Sequence, residues 1–334
     1  MKKYFLLLGA CIVLGSCLTD ENGDAVTALM TLGSSSQAPV FRECRAVSEN
    51  EIEFEFSQPV KITSLNFDPV LAIASIEDGR TVRVTLEENT APGALLTADL
   101  LAEDGHRNTI NVLVPLRARN NRMPTLVINE IRTENTKPKA EFIEFKMKTA
   151  GNLGAMRVFI LGNTNATKQT IYEFMPVEVK ENEYVVLHLR NVEEDCRDEL
   201  GNSLSESGGT DSSSTARDFW LPGNTKFIHK TSVIYVLDQD NRVLDAVMIS
   251  EKSDALWEKD YLAEAAEFLF SQGAWKPEDG KICRPSDAVN STGTTNTRTI
   301  CRDEIVKDTN TAADWYITAT SNATPGRKNS EKRN

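Results

Sequence analysis

Residues 51–57, EIEFEFS, place Ile52, Phe54 and Phe56 on one side of an extended chain and Glu51, Glu53 and Glu55 on the other. A helix would scatter these six residues around its axis, whereas a strand with one dry and one wet face sorts them. RTVRVTL repeats the pattern with Val82, Val84 and Leu86. Glu77-Asp78-Gly79, Pro92-Gly93 and Asp104-Gly105 punctuate such runs. Glycine reaches positive φ, proline fixes φ, and aspartate bonds its own backbone, so these are turns. Short strands and frequent turns over residues 38–119 predict a β-sandwich.

The pattern resumes after RARNNRMP, residues 117–124, a charged and Asn-rich linker. TLVINEI, AEFIEFKMK, AMRVFILG, TIYEFMPVEV and EYVVLHLR read as strands, and TSVIYVLDQDNRVLDAVMI as a hairpin turning at Asp238 to Asn241. Two inserts interrupt this second unit, 124–329. Residues 193–217 are acidic and then Gly/Ser-rich, as expected of a long surface loop. Residues 253–272 carry Trp257, Tyr261, Leu262, Ala265, Phe268 and Leu269 at helical spacing. Ser253 or Asp254 is the expected N-cap and Gly273 the C-cap. Trp315 and Ile317 are expected in the core on a last strand, and 330–334 to hang free.

The chain opens with MKKYFLLLGACIVLGSC. Lys2 and Lys3 precede an apolar run about half the length needed to cross a bilayer, which reads as a secretory signal peptide over 1–16. Leu14-Gly15-Ser16-Cys17 resembles the bacterial lipobox. That resemblance implies cleavage before Cys17 and acylation of the new N-terminus, giving stable anchoring through several acyl chains. Membrane lipid is therefore an expected partner, and polar, Ser-rich residues up to 37 form the expected tether. Leu18 is not the Asp that retains lipoproteins in the inner membrane of enteric bacteria, so the outer membrane is favoured, on either face.

Net charge is −12 and no basic patch stands out, so nucleic acid is not an expected partner. Of six cysteines, Cys44, Cys196, Cys283 and Cys301 remain once Cys11 is cleaved and Cys17 acylated. Cys283 and Cys301 flank a Ser/Thr/Gly/Asn loop, which makes them the candidate disulfide in an exported protein.

Two resemblances sharpen the fold. NTAPGALLTADLLAEDGHRNTINV resembles the late strands of bacterial Ig-like domains. LVINEI followed by EFIEF, then TNTRTICR, Asp314-Trp315 and Thr324-Pro325-Gly326-Arg327-Lys328-Asn329, is similar in order to the lamin tail domain. FKMKTAGNLGAMRVFI departs from that family in lacking the tryptophan of its third strand. The resemblance implies an interaction module without shared catalytic residues. The expected fold class is all-β: two Ig-like β-sandwich domains in tandem, the second with a helical insert, after a lipoprotein signal peptide.

Catalytic vocabulary is sparse. His106, His188 and His229 have no ligand neighbour at metal-binding spacing, and no Gly-x-Ser-x-Gly elbow or phosphate-cradling glycine loop occurs. Glu141 and Glu144 lie three apart on a strand and so point to opposite faces; with Glu130 they read as structural. No catalytic residue, metal or cofactor is expected. The expected function is a membrane-anchored envelope lipoprotein that binds or scaffolds a protein or glycan. The alternatives are a metal-dependent hydrolase with its site in 193–217 (Ser205, Ser207 and Ser212 to Ser214 lie there) and a calcium-dependent adhesin using Asp238, Asp240 and Asn241.

Overall fold

The computed structural model describes residues 37–162 and 171–334. The leader, Cys17 and most of the tether lie outside the described residues. The chain is all-β, with one α-helix among the described residues.

Six strands build the first unit: β1 (Phe41–Ala46), β2 (Glu51–Asp68), β3 (Ile73–Glu77), β4 (Gly79–Leu86), β5 (Leu95–Asp104) and β6 (Thr109–Arg117). The antiparallel order is β3-β4-β2-β5-β6, with β1 also on β2. β2 serves both halves of the sheet. Its first half pairs β1 and β4, and the part from Val60 onward pairs β5. The register breaks between Glu55 and Val60, where Pro59 cannot donate to a ladder. Phe54, Phe56, Val82 and Val84 from one half and Phe67, Leu96, Ala98 and Leu100 from the other form one buried cluster. The alternation in EIEFEFS is thus realised as read.

The second unit packs two mixed sheets, beside a two-stranded antiparallel pair of β9 (Gly151–Asn152) and β12 (Glu178–Val179). One has the order β14-β13-β8-β7-β18-β19, from β7 (Leu126–Arg132), β8 (Phe142–Met147), β13 (Tyr184–His188), β14 (Ala216–Trp220), β18 (Ile300–Arg302) and β19 (Trp315–Ile317). The other is β11-β10-β15-β16-β17, from β10 (Arg157–Gly162), β11 (Tyr172–Glu173), β15 (Ser232–Leu237), β16 (Val243–Ser250) and β17 (Val289–Asn290). Ile128, Phe145, Val185, Val158, Ile160 and Val247 lie in the core they share. The second sheet is also covered outside by the helix α1 (Asp260–Ser271), where Phe159 stacks on Tyr235 and Tyr235 meets Phe268. Burial on both faces explains why VFIL and AVMI read as unbroken apolar runs.

Three expectations need correction. The helix starts at Asp260, with Lys259 extended at its N-cap, rather than at 253. Trp257 precedes it, held by its indole N–H donating to the Cys283 carbonyl at 2.9 Å, so that part of the aromatic spacing belongs to an irregular anchor. Its far end follows expectation: Gly273 has φ +69°, with Gly273 N bonded to Phe270 O and Ala274 N to Leu269 O, a Schellman closure. Residues 330–334 do not hang free. Ala319 N bonds Lys332 O, Asn334 N bonds Ile317 O, and the Tyr316 hydroxyl donates to Ser330 O.

The candidate disulfide Cys283–Cys301 is not formed, and the four described cysteines are free thiols. On β18 Ile300 points into the shared core, so its neighbour Cys301 faces the opposite side. Cys283 sits in the core itself. The sheet stands between the two sulfurs.

Candidate functional site

The outer face of the first sheet holds a row of side chains across four strands. Register aligns Tyr316 with Cys301, Cys301 with Glu130, and Glu130 with Glu144. A shift at Asn129 on β7 brings the two glutamates opposite each other. Both are fully buried, because the chain's last segment lies over them. Thr324 N donates to both Glu130 oxygens at 3.1 Å, and Gly326 N donates to Glu144 Oε2 at 2.5 Å. Asn129 Nδ2 donates to Glu144 Oε1 at 2.7 Å, and Asn329 binds the Asn129 and Arg302 carbonyls. The Thr-Pro-Gly-x-x-Asn motif is therefore a lid held by buried carboxyls.

Burial, and then the charge of Glu130, hold the Glu144 carboxyl well above the usual glutamate range, and burial raises Glu130 as well. The unfolded chain loses these protons near its ordinary glutamate value of about 4.3 while the folded chain keeps them. The pair's contribution to stability is therefore complete at low pH and falls as pH rises from there through the folded value. Glu144→Gln is expected to gain on the wild type as pH rises above about 5, by up to about 1.4 kcal/mol per unit of raised pKa. Urea unfolding at several pH values measures the difference; parallel profiles would exclude it.

His188 lies one row further along, fully buried. Its Nε2 is 2.8 Å from Asp218 Oδ1 and its ring stacks on Trp220 at 3.8 Å. Asp218 is fixed in turn by Ser213 N, and Trp220 Nε1 donates to Ser207 Oγ at 2.9 Å. His188 is thus a packed strand residue. The acidic start of the 193–217 insert folds the insert itself. Asp198 accepts from Trp220 N and the Tyr172 hydroxyl, and Glu199 accepts from the backbone N–H groups of Glu206, Ser207 and Asp218. Ser212 donates to loop carbonyls and Ser213 pairs with Thr215. No described serine has a histidine base in hydrogen-bond contact.

A groove of about 670 Å³ lies between the two units. Its walls come from β1, the end of β6, the start of β10 and the β15–β16 turn. Arg119 makes a bidentate pair with Asp240, at 2.5 and 2.6 Å, and Arg117 pairs with Glu173. Arg157 donates to Asp238 O and Asn241 Oδ1, each at 2.8 Å. The linker is part of this seam: buried Asn120 donates to the carbonyls of Asn152 and Gly154 and accepts from Arg122 N. Gly93, at φ +68°, lets its backbone approach Gly154 so closely that a Cβ would stand 2.6 Å from the Gly154 Cα.

These contacts decide what the candidate residues can do. The oxygens of Asp238, Asp240 and Asn241 are committed to Arg119, Arg157 and their own turn. Among the described residues no group of three or more His, Cys, Asp or Glu is placed to hold a metal. Burial pushes the Cys44 thiol in the groove wall up to about 12, as it does Cys283. Neither offers a thiolate nucleophile near neutral pH. The pair that does meet in space, Glu130 with Glu144, was hidden because its register depends on the irregularity at Asn129. Glu141 faces the other way and holds Arg190.

A family model described as "protein second domain" matches residues 124–317. An uncharacterized protein of Treponema pallidum (strain Nichols) is 25% identical over 186 residues, 52% of this chain and 46% of that protein. The chain thus spans about half the length of this relative. Among solved structures, the N-terminal part of the bacterial S-layer protein SbsC matches with TM-score 0.25 and 13% identity, covering 49% of this chain and 43% of that one. Domains 1–6 of surface layer protein SbsC match with TM-score 0.24 and 10% identity over 68% and 43%. Likeness at that level carries no argument about this chain.

Proposed function

The chain belongs to the TP_1001_2nd family, "protein second domain", and from that premise we propose a non-catalytic binding or scaffolding lipoprotein of the bacterial cell envelope. The observation that carries this reading is the groove between the units. Its volume is about 670 Å³, and the Arg119–Asp240 and Arg117–Glu173 ion pairs fix part of its wall. Side chains locked in mutual ion pairs are suited to presenting a rigid surface and poorly suited to transferring protons. A protein or glycan surface is the occupant this reading assigns.

Within the same reading, both units are Ig-like sandwiches and the second is built as a lamin tail domain. Its support is spatial: the Ile128-Asn129-Glu130 strand, the Glu141 to Glu144 strand and the Thr324 to Asn329 motif converge on one buried cluster. The lipobox supplies the anchor, with Cys17 acylated and the units tethered at the outer membrane. Among the described residues no helix is long and apolar enough to cross a membrane.

Two experiments test this. Cells fed an alkyne-bearing fatty acid are expected to label the wild-type chain and leave Cys17→Ala unlabelled and outside the membrane fraction. Equal labelling would remove the anchor from the reading. A hydrolase screen with and without EDTA is expected to show no turnover. Activity lost on Asp211→Asn would replace the scaffold with an enzyme of the 193–217 insert.

A further inference from the structure

A second hollow, of about 330 Å³, opens on the outer face of the first sheet of the second unit, away from the groove. Three of the segments that wall it are pinned. The Thr136–Lys139 turn is closed by two backbone bonds, and Ala140 N donates to Asp211. The 210–213 stretch is held by Glu193 on Thr210 and by Asp218 on Ser213 N. The 323–327 stretch is held by the buried carboxyls of Glu130 and Glu144 through Thr324 N and Gly326 N. The hollow is therefore built by the fold and does not depend on loose side chains for its shape.

Its charge differs from that of the rest of the molecule. In a chain of net charge −12, Lys139, Arg132 and Arg327 all line it, with Asp211 as its carboxylate. Asp211 is neutralised by Arg132 Nη1 at 2.5 Å. Lys139 and Arg327 are exposed and form no ion pair with any described residue. Arg132 is 3% exposed at its side chain, and its Nε has no hydrogen-bond partner among the described residues. Ser321, at φ +61° on the rim, adds a hydroxyl. Two unpaired exposed cations beside the Arg132–Asp211 pair, with the hydroxyls of Ser212, Ser213, Thr297 and Ser321 also in the lining, form a recess rich in hydrogen-bond donors and net positive charge, and such a recess selects oxyanions.

We propose that this hollow is an anion subsite that takes a phosphate group, with Lys139 and Arg327 supplying the charge and Ser321 a hydrogen bond. The cations are exposed, so binding is weak and falls with salt. The phosphate has two possible sources, free inorganic phosphate or a phospholipid headgroup, and one experiment separates them.

The purified chain is titrated with sodium phosphate at constant ionic strength set by chloride, following Trp fluorescence and melting temperature. In parallel it is mixed with phosphatidylglycerol or phosphatidylcholine vesicles and sedimented. Saturable phosphate binding, reduced tenfold or more in Lys139→Gln/Arg327→Gln, supports the subsite with free phosphate as its source. Sedimentation with phosphatidylglycerol vesicles alone, lost in a Cys17→Ala background only when the same pair is changed, supports it with a headgroup as source. The double variant changes exposed side chains, so its melting temperature without phosphate should equal the parent's. No saturable binding in either arm, or binding untouched by the double variant, overturns the proposal. Neither result bears on the groove between the units.

Discussion

Glu141→Ala should lower the stability of the second unit by about 3–5 kcal/mol, the cost of stripping one partner from a buried ion pair. Glu141 is fully buried and holds Arg190 through both carboxylate oxygens, with Nε on Oε2 and Nη2 on Oε1 at 2.5 Å. Arg190 Nη1 is occupied by Asn224, so its guanidinium cannot swing to water without breaking that contact too. Alanine would leave a charge in the interior with half its hydrogen bonds gone. Glu141→Gln keeps the shape and one acceptor, and should cost about 1–3 kcal/mol. All four tryptophans (220, 257, 275 and 315) lie in the second unit, so urea unfolding followed by Trp fluorescence reads that unit alone. The midpoint should fall with unchanged slope. A midpoint within about 0.5 kcal/mol of the wild type would mean that Arg190 finds another partner or water.

The sequence disclosed most where one residue type alternates with another. EIEFEFS and RTVRVTL could be assigned to strands and faces because one side of each is apolar and the other wet. The second unit was harder for a physical reason: its sheets are covered on both sides. Glu130 and Glu144 read as structural from the sequence, but nothing local shows that the chain end covers them. Which glutamates meet depended on one extra residue at Asn129, and period-two counting cannot see an extra residue. The Cys283–Cys301 expectation failed likewise, because loop length between two cysteines says nothing about which face of a sheet each occupies. The helical insert was legible at its end, where a glycine must take positive φ. Its start was obscured, since Trp257 keeps helical spacing while serving as an anchor to Cys283. The seam between the units was least legible. Arg119 and Asp240 are 121 residues apart, and nothing local marks either as an interface residue.

The second large effect concerns the lid, and it falls on a residue without a side chain. Gly326 has φ +76°, a conformation that costs an L-residue about 1–2 kcal/mol. A Cβ there would also press on the Ser213 hydroxyl, stand 2.8 Å from Thr215 Oγ1 and 3.1 Å from Ala216 Cβ. Thr215 and Ala216 lead into β14, so little can give way, and overpacking of this kind adds about 1–3 kcal/mol. Gly326→Ala should therefore cost about 2–5 kcal/mol in the same Trp-monitored unfolding. Displacing Gly326 also withdraws its N–H from Glu144, which exposes the glutamate pair to water and lets it ionise at lower pH. The variant should consequently lose much of the pH dependence assigned to that pair, in the same direction as Glu144→Gln but from a destabilised baseline. Arg327→Ala, one position on, changes no buried contact and should leave the unfolding midpoint within about 0.5 kcal/mol of the wild type. If Gly326→Ala proved equally mild, the chain end would be a loose cover, and the buried carboxyls would need another explanation for staying dry.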